Sequence, residues 1–337
     1  MIPIRYHRGL ELPAHDLWLD PHGARPFAFV SHAHSDHLAA HAEVVTHPST
    51  ARLMRARLGG QRREHLLEFG ETRTLRDCAI TLLPAGHILG SAQAFVESAA
   101  GTLLYTGDFK LRPGLSAEPA QWRHADTLIM ETTFGLPKYV MPPTEEVLAQ
   151  IIAFCHAALA DRAVPVLLAY SLGKAQEAVC ALLAAGLTPM LHDAVFKMTE
   201  IHRELRADFP TGYVRFDAEE AVGKVLICPP NAKTSALLAS LPPRRTAVLT
   251  GWALDPSARY RYRCDAAFPL TDHADYPDLL RYVALVAPRR VFTLHGFAAP
   301  FAADLRRRGI EAWALSEDDQ LELALHDHGF VAQASSR

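Results

Sequence analysis

The chain has 337 residues, 49% of them hydrophobic and 21% charged, with a formal charge of -3. That length allows two domains, or one large domain with an insertion, and the composition is ordinary for a globular enzyme. A chain this close to neutral does not hold nucleic acid by bulk charge, so any basic surface must be local.

Taken in chain order, residues 27–30, 79–84, 93–97, 102–106 and 127–131 read as short buried strands bounded by Gly, Pro or charge. Around residue 140 the texture changes: a helical pattern runs from Thr144, its N-cap, to Ala160, with Glu145 and Glu146 in the first turn. Strand 164–170, helix 173–186, strand 188–193, helix 194–205, strand 224–230, a short helix near 234–240 and strand 245–251 follow. Alternation of this kind predicts a parallel sheet with crossover helices. The pattern closes with strand 266–272, helix 276–286, strand 289–296, helix 298–309 and strand 310–315, then a polar tail expected to fray.

The five cysteines, Cys78, Cys155, Cys180, Cys228 and Cys264, are scattered and contain no CxxC pair. This argues against a disulfide framework or a thiolate zinc site and for a reducing cytoplasm. The start, MIPIRYHRGLELP, lacks the basic and apolar blocks of a signal peptide, and His156, Asp161 and Arg162 interrupt the longest apolar stretches, so no membrane span is expected.

SHAHSDHL (31–38) places His32, His34, Asp36 and His37 directly after an apolar strand. Crowded imidazoles gain nothing from one another, whereas a metal ion gives them a reason to converge. Side chains two apart on an extended segment point the same way, and a turn after the strand would swing Asp36 and His37 to a second nearby point. The pattern suits two divalent ions, zinc first, with manganese or iron as alternatives, because imidazole and carboxylate are present without thiolate. His87, Asp108 and His295 also sit at strand ends, beside Gly86, Gly107 and Gly296, which let the backbone turn near a crowded centre. Taken alone, His295 reads equally as a core histidine.

With these residues the chain resembles the metallo-β-lactamase fold: HAHSDH, then His87, Asp108 and His295, with Asp20 of LWLDP upstream. METTFG (130–135), with Glu131, resembles acidic motif A of the nucleic-acid-cutting β-CASP branch; LTDHADY (270–276), with His273, resembles motif B; the His–Gly pair at 295–296 resembles motif C. AYSLGKAQE (169–177) and LTGWAL (249–254) resemble the inserted β-CASP domain. The wording is most similar to bacterial Artemis-like exonucleases associated with ATP-dependent DNA ligases. One departure is His295, where Artemis-type enzymes carry an aliphatic residue and RNA-processing members a histidine.

The resemblance implies an α/β architecture: an αββα metallo-β-lactamase sandwich from residues 1–134 and 263–325, with a parallel α/β β-CASP domain, 135–262, inserted, a polar tail, 326–337, and an active site in the cleft between the domains. It implies that His32, His34 and His87 bind one metal, that Asp36, His37 and His295 bind the other, that Asp108 bridges them, and that Asp20 orients a ligand histidine. His273 becomes the general acid and Glu131 its orienting carboxylate. The implied activity is 5′-to-3′ exonucleolytic hydrolysis of DNA in repair, with association with a DNA ligase and a helicase. RNA processing by the same fold is the alternative, and a non-catalytic metal-bound repair scaffold a further one. A small-ester hydrolase needs neither the insertion nor His273.

Substrate contacts are sought in the insertion. Ser171 and Lys174 stand at a helix start, where free N–H groups and partial positive charge can receive a phosphate, although a solvent-facing lysine is an equal reading. Trp252 reads equally as a base-stacking or a core residue. SARYRYR (257–263) has the texture of a strand or groove that tracks a phosphate backbone, and MRARLGGQRR (54–63) is a second basic run, with a solvated charged face as the alternative for each.

Overall fold

Short apolar runs near the start of the chain build the first sheet. Its strands are Arg5–Tyr6, Leu10–Leu12, Leu17–Leu19, Phe27–Phe29, Glu43–Thr46 and Arg63–Leu66, side by side in chain order. The first three pair antiparallel and the rest parallel. In Leu10–Leu12 and Leu17–Leu19 the leucines are buried and the residue between them is half-exposed, the period-two pattern of a strand with one covered face. Of this sheet only 27–30 was predicted, because strands of two to four residues carry too few positions to show a period. The computed structural model describes residues 1–7, 9–234, 241 and 243–315. The helix expected near 234–240 (beyond position 234), residues 316–325 of the expected second segment and the tail 326–337 lie outside the described residues.

A second, seven-stranded sheet runs, in spatial order, Glu311–Ala314, Arg290–Leu294, Thr127–Glu131, Gly101–Tyr105, Ala92–Ser98, Cys78–Pro84 and Thr72–Leu75. It is mixed: parallel from Glu311–Ala314 to Gly101–Tyr105 and antiparallel beyond. One of its faces packs on the first sheet, with Leu12, Leu17, Phe27 and Phe29 meeting Ile80, Leu82, Leu103, Tyr105 and Phe292. Its other face is covered by helices Tyr276–Val286 and Ala298–Arg307 through Leu279, Tyr282, Val283, Phe301 and Leu305. Each such side chain contributes about 1.5–3 kcal/mol by leaving water. Helix Pro48–Leu58 follows the fifth strand. These elements form one compact unit, residues 1–113, 118–139 and 273 onward.

The second unit comprises Gly114–Ala117 and Val140–Asp272. Its six-stranded sheet, spatially Val214–Arg215, Pro189–Leu191, Val225–Cys228, Val164–Leu168, Arg244–Leu249 and Ala266–Phe268, is parallel throughout. Helices Thr144–Ala160, Lys174–Ala184 and Asp193–Leu205 bury Ile151, Val179 and Val195 against one face. The strand expected over 266–272 stops at Phe268, before Pro269, whose ring nitrogen cannot donate to a ladder. SARYRYR is not a strand: Ala258–Arg261 is a helical turn, with Arg259 stacked 4.5 Å over the exposed ring of Tyr260 and Arg261 paired to Asp255 at 3.0 Å. Among the described residues no helix is long and apolar enough to cross a membrane.

Candidate active site

Strand ends of the first unit deliver the ligand-type residues. After Phe27–Phe29 the chain stays extended through His34, then makes one turn of 3-10 helix at Ser35–His37. His32 and His37 are buried to 0% and 4% exposure, and His87 and Asp108 to 3% and 7%. His34 Nδ1 lies 3.2 Å from His32 Nε2 and 3.0 Å from His87 Nε2. Asp108 Oδ2 lies 3.6 Å from His32 Nε2, 3.8 Å from His87 Nε2 and 3.5 Å from His37 Nε2. One group of converging donors is therefore His32, His34, His87 and Asp108, and a second is His37, Asp108 and His295, with Asp108 in both. Asp36 stands outside both groups, with its carboxylate largely exposed and 3.8 Å from His37 Nε2.

The tautomer of His32 follows from its surroundings. Asp20 accepts from the backbone N–H of Ser31 at 2.8 Å, from the Ser31 hydroxyl, and from the Tyr105 hydroxyl at 2.9 Å. With its proton given to Asp20, Ser31 Oγ accepts the Nδ1–H of His32 at 2.9 Å, and His32 Nε2 is left with a lone pair directed at His34 and Asp108. Asp20 Oδ2 also lies 3.1 Å from His37 Nδ1, though without hydrogen-bond alignment.

Burial, and then the neighbouring His37 and His87, hold His32 well below the ordinary histidine range. Burial would lower His37 too, but the carboxylates of Asp108 and Asp20 outweigh it and raise it well above that range. Burial works against Asp108 ionising; the surrounding imidazoles, His37 foremost, hold it well below the usual carboxylate range. Burial also lowers His295, against the pull of Asp108. Lone pairs on crowded nitrogens about an ionised carboxylate repel unless a cation sits among them, so the donor set fits divalent metal.

Local backbone makes this convergence possible. His295 sits at φ 58°, sparsely populated for a residue with a side chain, and Gly296 at φ 59°. A Cβ on Gly296 would lie 2.5 Å from Thr133 Cα, and one on Gly107 (φ 55°) would lie 2.6 Å from Ser31 Cβ. At Gly296 neighbouring backbone passes too close for any side chain, and at Gly107 the Ser31 side chain does.

Beside the metal donors stands a second constellation. Strand Thr127–Glu131 pairs in parallel register with Arg290–Leu294, which sets Glu131 opposite Leu294 and so next to His295. Glu131 is fully buried, not a strand-end acid facing water. Its Oε1 accepts from Phe109 N at 2.9 Å and from His273 Nδ1 at 2.8 Å, and its Oε2 accepts from Thr133 N at 3.2 Å and from the Thr133 hydroxyl. Ligand-type atoms of Asp108, Glu131 and His273 all lie within 4.8 Å of one another, and the rings of His273 and His87 are 4.7 Å apart.

The three residues sought as substrate contacts lie in the second unit. Lys174 is not solvent-facing: it is 5% exposed, with its ammonium on the Asp272 carboxylate and 5.0 Å from the Tyr170 ring. Anything reaching for that lysine must compete with a buried ion pair. Ser171 lies one turn ahead, its carbonyl accepting from Gln176 Nε2 at 3.1 Å, while Gln176 Oε1 caps Gly173 N at 2.8 Å. Trp252 is half-buried in a 3-10 turn, Gly251–Leu254, capped by Thr250. Sequence reasoning missed Ser31, Tyr105, Thr133 and Phe109. Ser31, inside SHAHSDHL, and Thr133, inside METTFG, stood within motifs already singled out, whereas Tyr105 and Phe109 act through contacts with Asp20 and Glu131 that no local pattern announces.

No family model matches the chain. The 5′ exonuclease Apollo of Gallus gallus is 36% identical over 160 residues, 45% of this chain and 34% of that protein. Over that stretch the chain is similar to the Apollo 5′ exonucleases. The match is to a named exonuclease, in line with the nucleic-acid-cutting resemblance read from HAHSDH, METTFG and LTDHADY. A probable DNA ligase of Opitutus terrae is 55% identical over 324 residues, 96% of this chain and 32% of that protein. The chain thus spans about a third of the length of these curated relatives. In fold it is similar to a protein of unknown function from Enterococcus faecalis V583, with TM-score 0.60 at 14% identity over 85% of this chain and 78% of that one.

Proposed function

We propose that this chain is a metal-dependent nuclease of the metallo-β-lactamase fold and β-CASP branch, acting as a 5′-to-3′ exonuclease on DNA in repair. The observation that carries the reading is the shared carboxylate: Asp108 belongs to two groups of metal donors and to a third with Glu131 and His273. A hydrolase that breaks a P–O bond needs both halves, charge compensation at phosphorus and a proton for the departing oxygen.

In this reading His32, His34, His87 and Asp108 would hold one ion and His37, His295 and Asp108 the other, while Asp36 stands outside both groups, beside His37. Zinc suits the donors best, with manganese as the alternative. When bound, such ions supply Lewis acidity, lowering the pKa of water and offsetting charge on a phosphodiester. The chain supplies the rest. Asp20, through Ser31, holds His32 with Nε2 as its donor atom. Glu131 accepts from Nδ1 of His273, so the proton that His273 gives to the leaving 3′-oxygen comes from Nε2. The buried carboxylate stabilises the positive charge the ring carries beforehand. Phe109 N and Thr133 keep Glu131 from rotating toward the metal donors.

The ligase-named relative devotes 32% of its length to the part this chain matches. Its remainder supports a partnership in which this chain trims ends and a DNA ligase joins them. RNA as substrate is favoured by one residue, His295 at motif C. End-labelled single-stranded DNA and RNA of matched sequence, incubated with zinc- or manganese-loaded protein, decide between them. Mononucleotides released from the 5′ end of DNA are expected; internal cuts in RNA alone would overturn the DNA reading.

A further inference from the structure

The segment that carries His273 is anchored from an unexpected quarter. Asp275, two residues on, is the N-cap of helix Tyr276–Val286: its Oδ1 accepts from Asp278 N at 3.1 Å. That bond completes the cap. Yet the other oxygen of Asp275 accepts from Arg112 Nη2 at 2.5 Å, and Arg112 Nε donates to Asp278 Oδ2 at 3.1 Å. A guanidinium at a helix start opposes the helix dipole, so the helix itself has no use for it. Exposed ion pairs contribute little, but Asp275 and Asp278 are 1% and 8% exposed, and a fork spanning two buried carboxylates fixes distance and angle together.

Arg112 stands four residues after Asp108, on the same loop. That loop touches the His273 segment twice more. Phe109 N donates to Glu131, which holds His273 Nδ1, and Phe109 O accepts from Ala274 N at 2.7 Å. Residues 273–275 are therefore tied to residues 108–112 through a side chain, a backbone carbonyl and a partly buried ion pair in succession.

We propose that Arg112 is a positioning residue: by clamping Asp275 and Asp278 it sets His273 in register with Asp108, so that the proton donor and the metal donors share one frame. The proposal rests on the role given to His273 above. Losing the clamp misplaces the ring by a fraction of an ångström or more, and displacements of about 1 Å at a reacting group cost on the order of 100-fold.

The test uses the full chain, metal-loaded, as Arg112→Met, Arg112→Lys and Arg112→Met/His273→Ala. Arg112→Met is expected to slow cleavage of a DNA phosphodiester on the order of 10–100-fold. It should leave metal content and the rate on a nitrophenyl phosphodiester, whose oxygen leaves without a proton, near wild type. Arg112→Lys should recover part of the loss, and Arg112→Met should add nothing in the His273→Ala background. A crystal structure of Arg112→Met should show His273 withdrawn from Glu131. Equal slowing on both leaving groups, additivity with His273→Ala, or a His273–Glu131 distance still at 2.8 Å would each overturn the proposal. Should Arg112→Met not fold, Asp275→Asn keeps the capping oxygen, weakens the same ion pair and is judged by the same readouts. If wild type cleaves no phosphodiester, the nuclease reading fails, and the crystallographic distance still decides whether Arg112 places His273.

Discussion

Adding one methyl group at Gly296 should cost the protein half of its metal. In Gly296→Ala the new Cβ would lie 2.5 Å from Thr133 Cα and 2.6 Å from Thr132 O, both backbone atoms that no rotamer change can move. An ordinary contact begins near 3.4 Å, so about 0.9 Å of backbone displacement must be found. The φ of 59° adds the left-handed penalty, about 1–2 kcal/mol for a residue with a Cβ. The neighbour that must absorb the shift is His295, already at φ 58°. Metal–ligand distances tolerate only about 0.2 Å, so a displacement about four times larger should remove His295 from the ion that it would share with His37 and Asp108. The assay is metal analysis after dialysis against a graded chelator, with circular dichroism to confirm the fold. Wild type should retain close to two equivalents and Gly296→Ala one, the first group of donors being untouched. Two equivalents held at wild-type affinity would refute the reasoning.

Asp108→Ala removes the side chain shared by the His32–His34–His87, His37–His295 and Glu131–His273 groups and should abolish turnover while releasing most of the bound metal, read by metal analysis and nuclease assay. His273→Ala should lower turnover on DNA by about 10²–10⁴-fold with metal content unchanged, and by far less on a nitrophenyl phosphodiester; Glu131→Gln should show a milder form of the same contrast. The second unit carries an acid-sensitive core group: burial lowers His202 from the ordinary 6.5 to about 4, its Nδ1 donating to Met198 O at 3.0 Å. Between those values the unfolded chain binds a proton that the folded one refuses, so stability falls as pH drops through this window, by about 2 kcal/mol between pH 7 and pH 5. Urea midpoints at the two pH values should show that loss in wild type and a smaller one in His202→Leu; an identical slope in both would remove His202 as the cause.

The convergence of His32, His34, His37, His87, Asp108 and His295 was legible because each stands at a strand end with its own local signal: three histidines in SHAHSDHL, a glycine beside His87, Asp108 and His295. The parallel sheet over 164–249 was legible because strands and helices of ordinary length alternate there. What stayed hidden was made by register between distant segments. Tyr105 reaches Asp20 only because two sheets pack face to face, and Arg112 reaches Asp275 only because a loop and a helix start meet across 163 positions. Lys174 shows the opposite failure. Its helix position was read correctly, but a helix start says nothing about Asp272, 98 positions on, which occupies its charge. The arginine–tyrosine interleaving at 257–263 misled because period two in side-chain type, with no β-branched residue, does not compel an extended backbone.

The order in which the chain is made gives the donor set a history. His32, His34, His87 and Asp108, one whole group, are all synthesised within the first third of the chain. His295 comes 187 residues after Asp108, counting from position 108 to position 295, with the second unit in between. At about 5–20 residues per second the ribosome needs on the order of 10–40 s to cover that interval. Until then the strand Arg290–Leu294 is missing from beside Thr127–Glu131, and the second ion has no His295 to bind. With two ions held as proposed, loading would be sequential, and the second ion would act as a clasp, closing a loop that contains the second unit and joining early and late parts of the chain only after both exist.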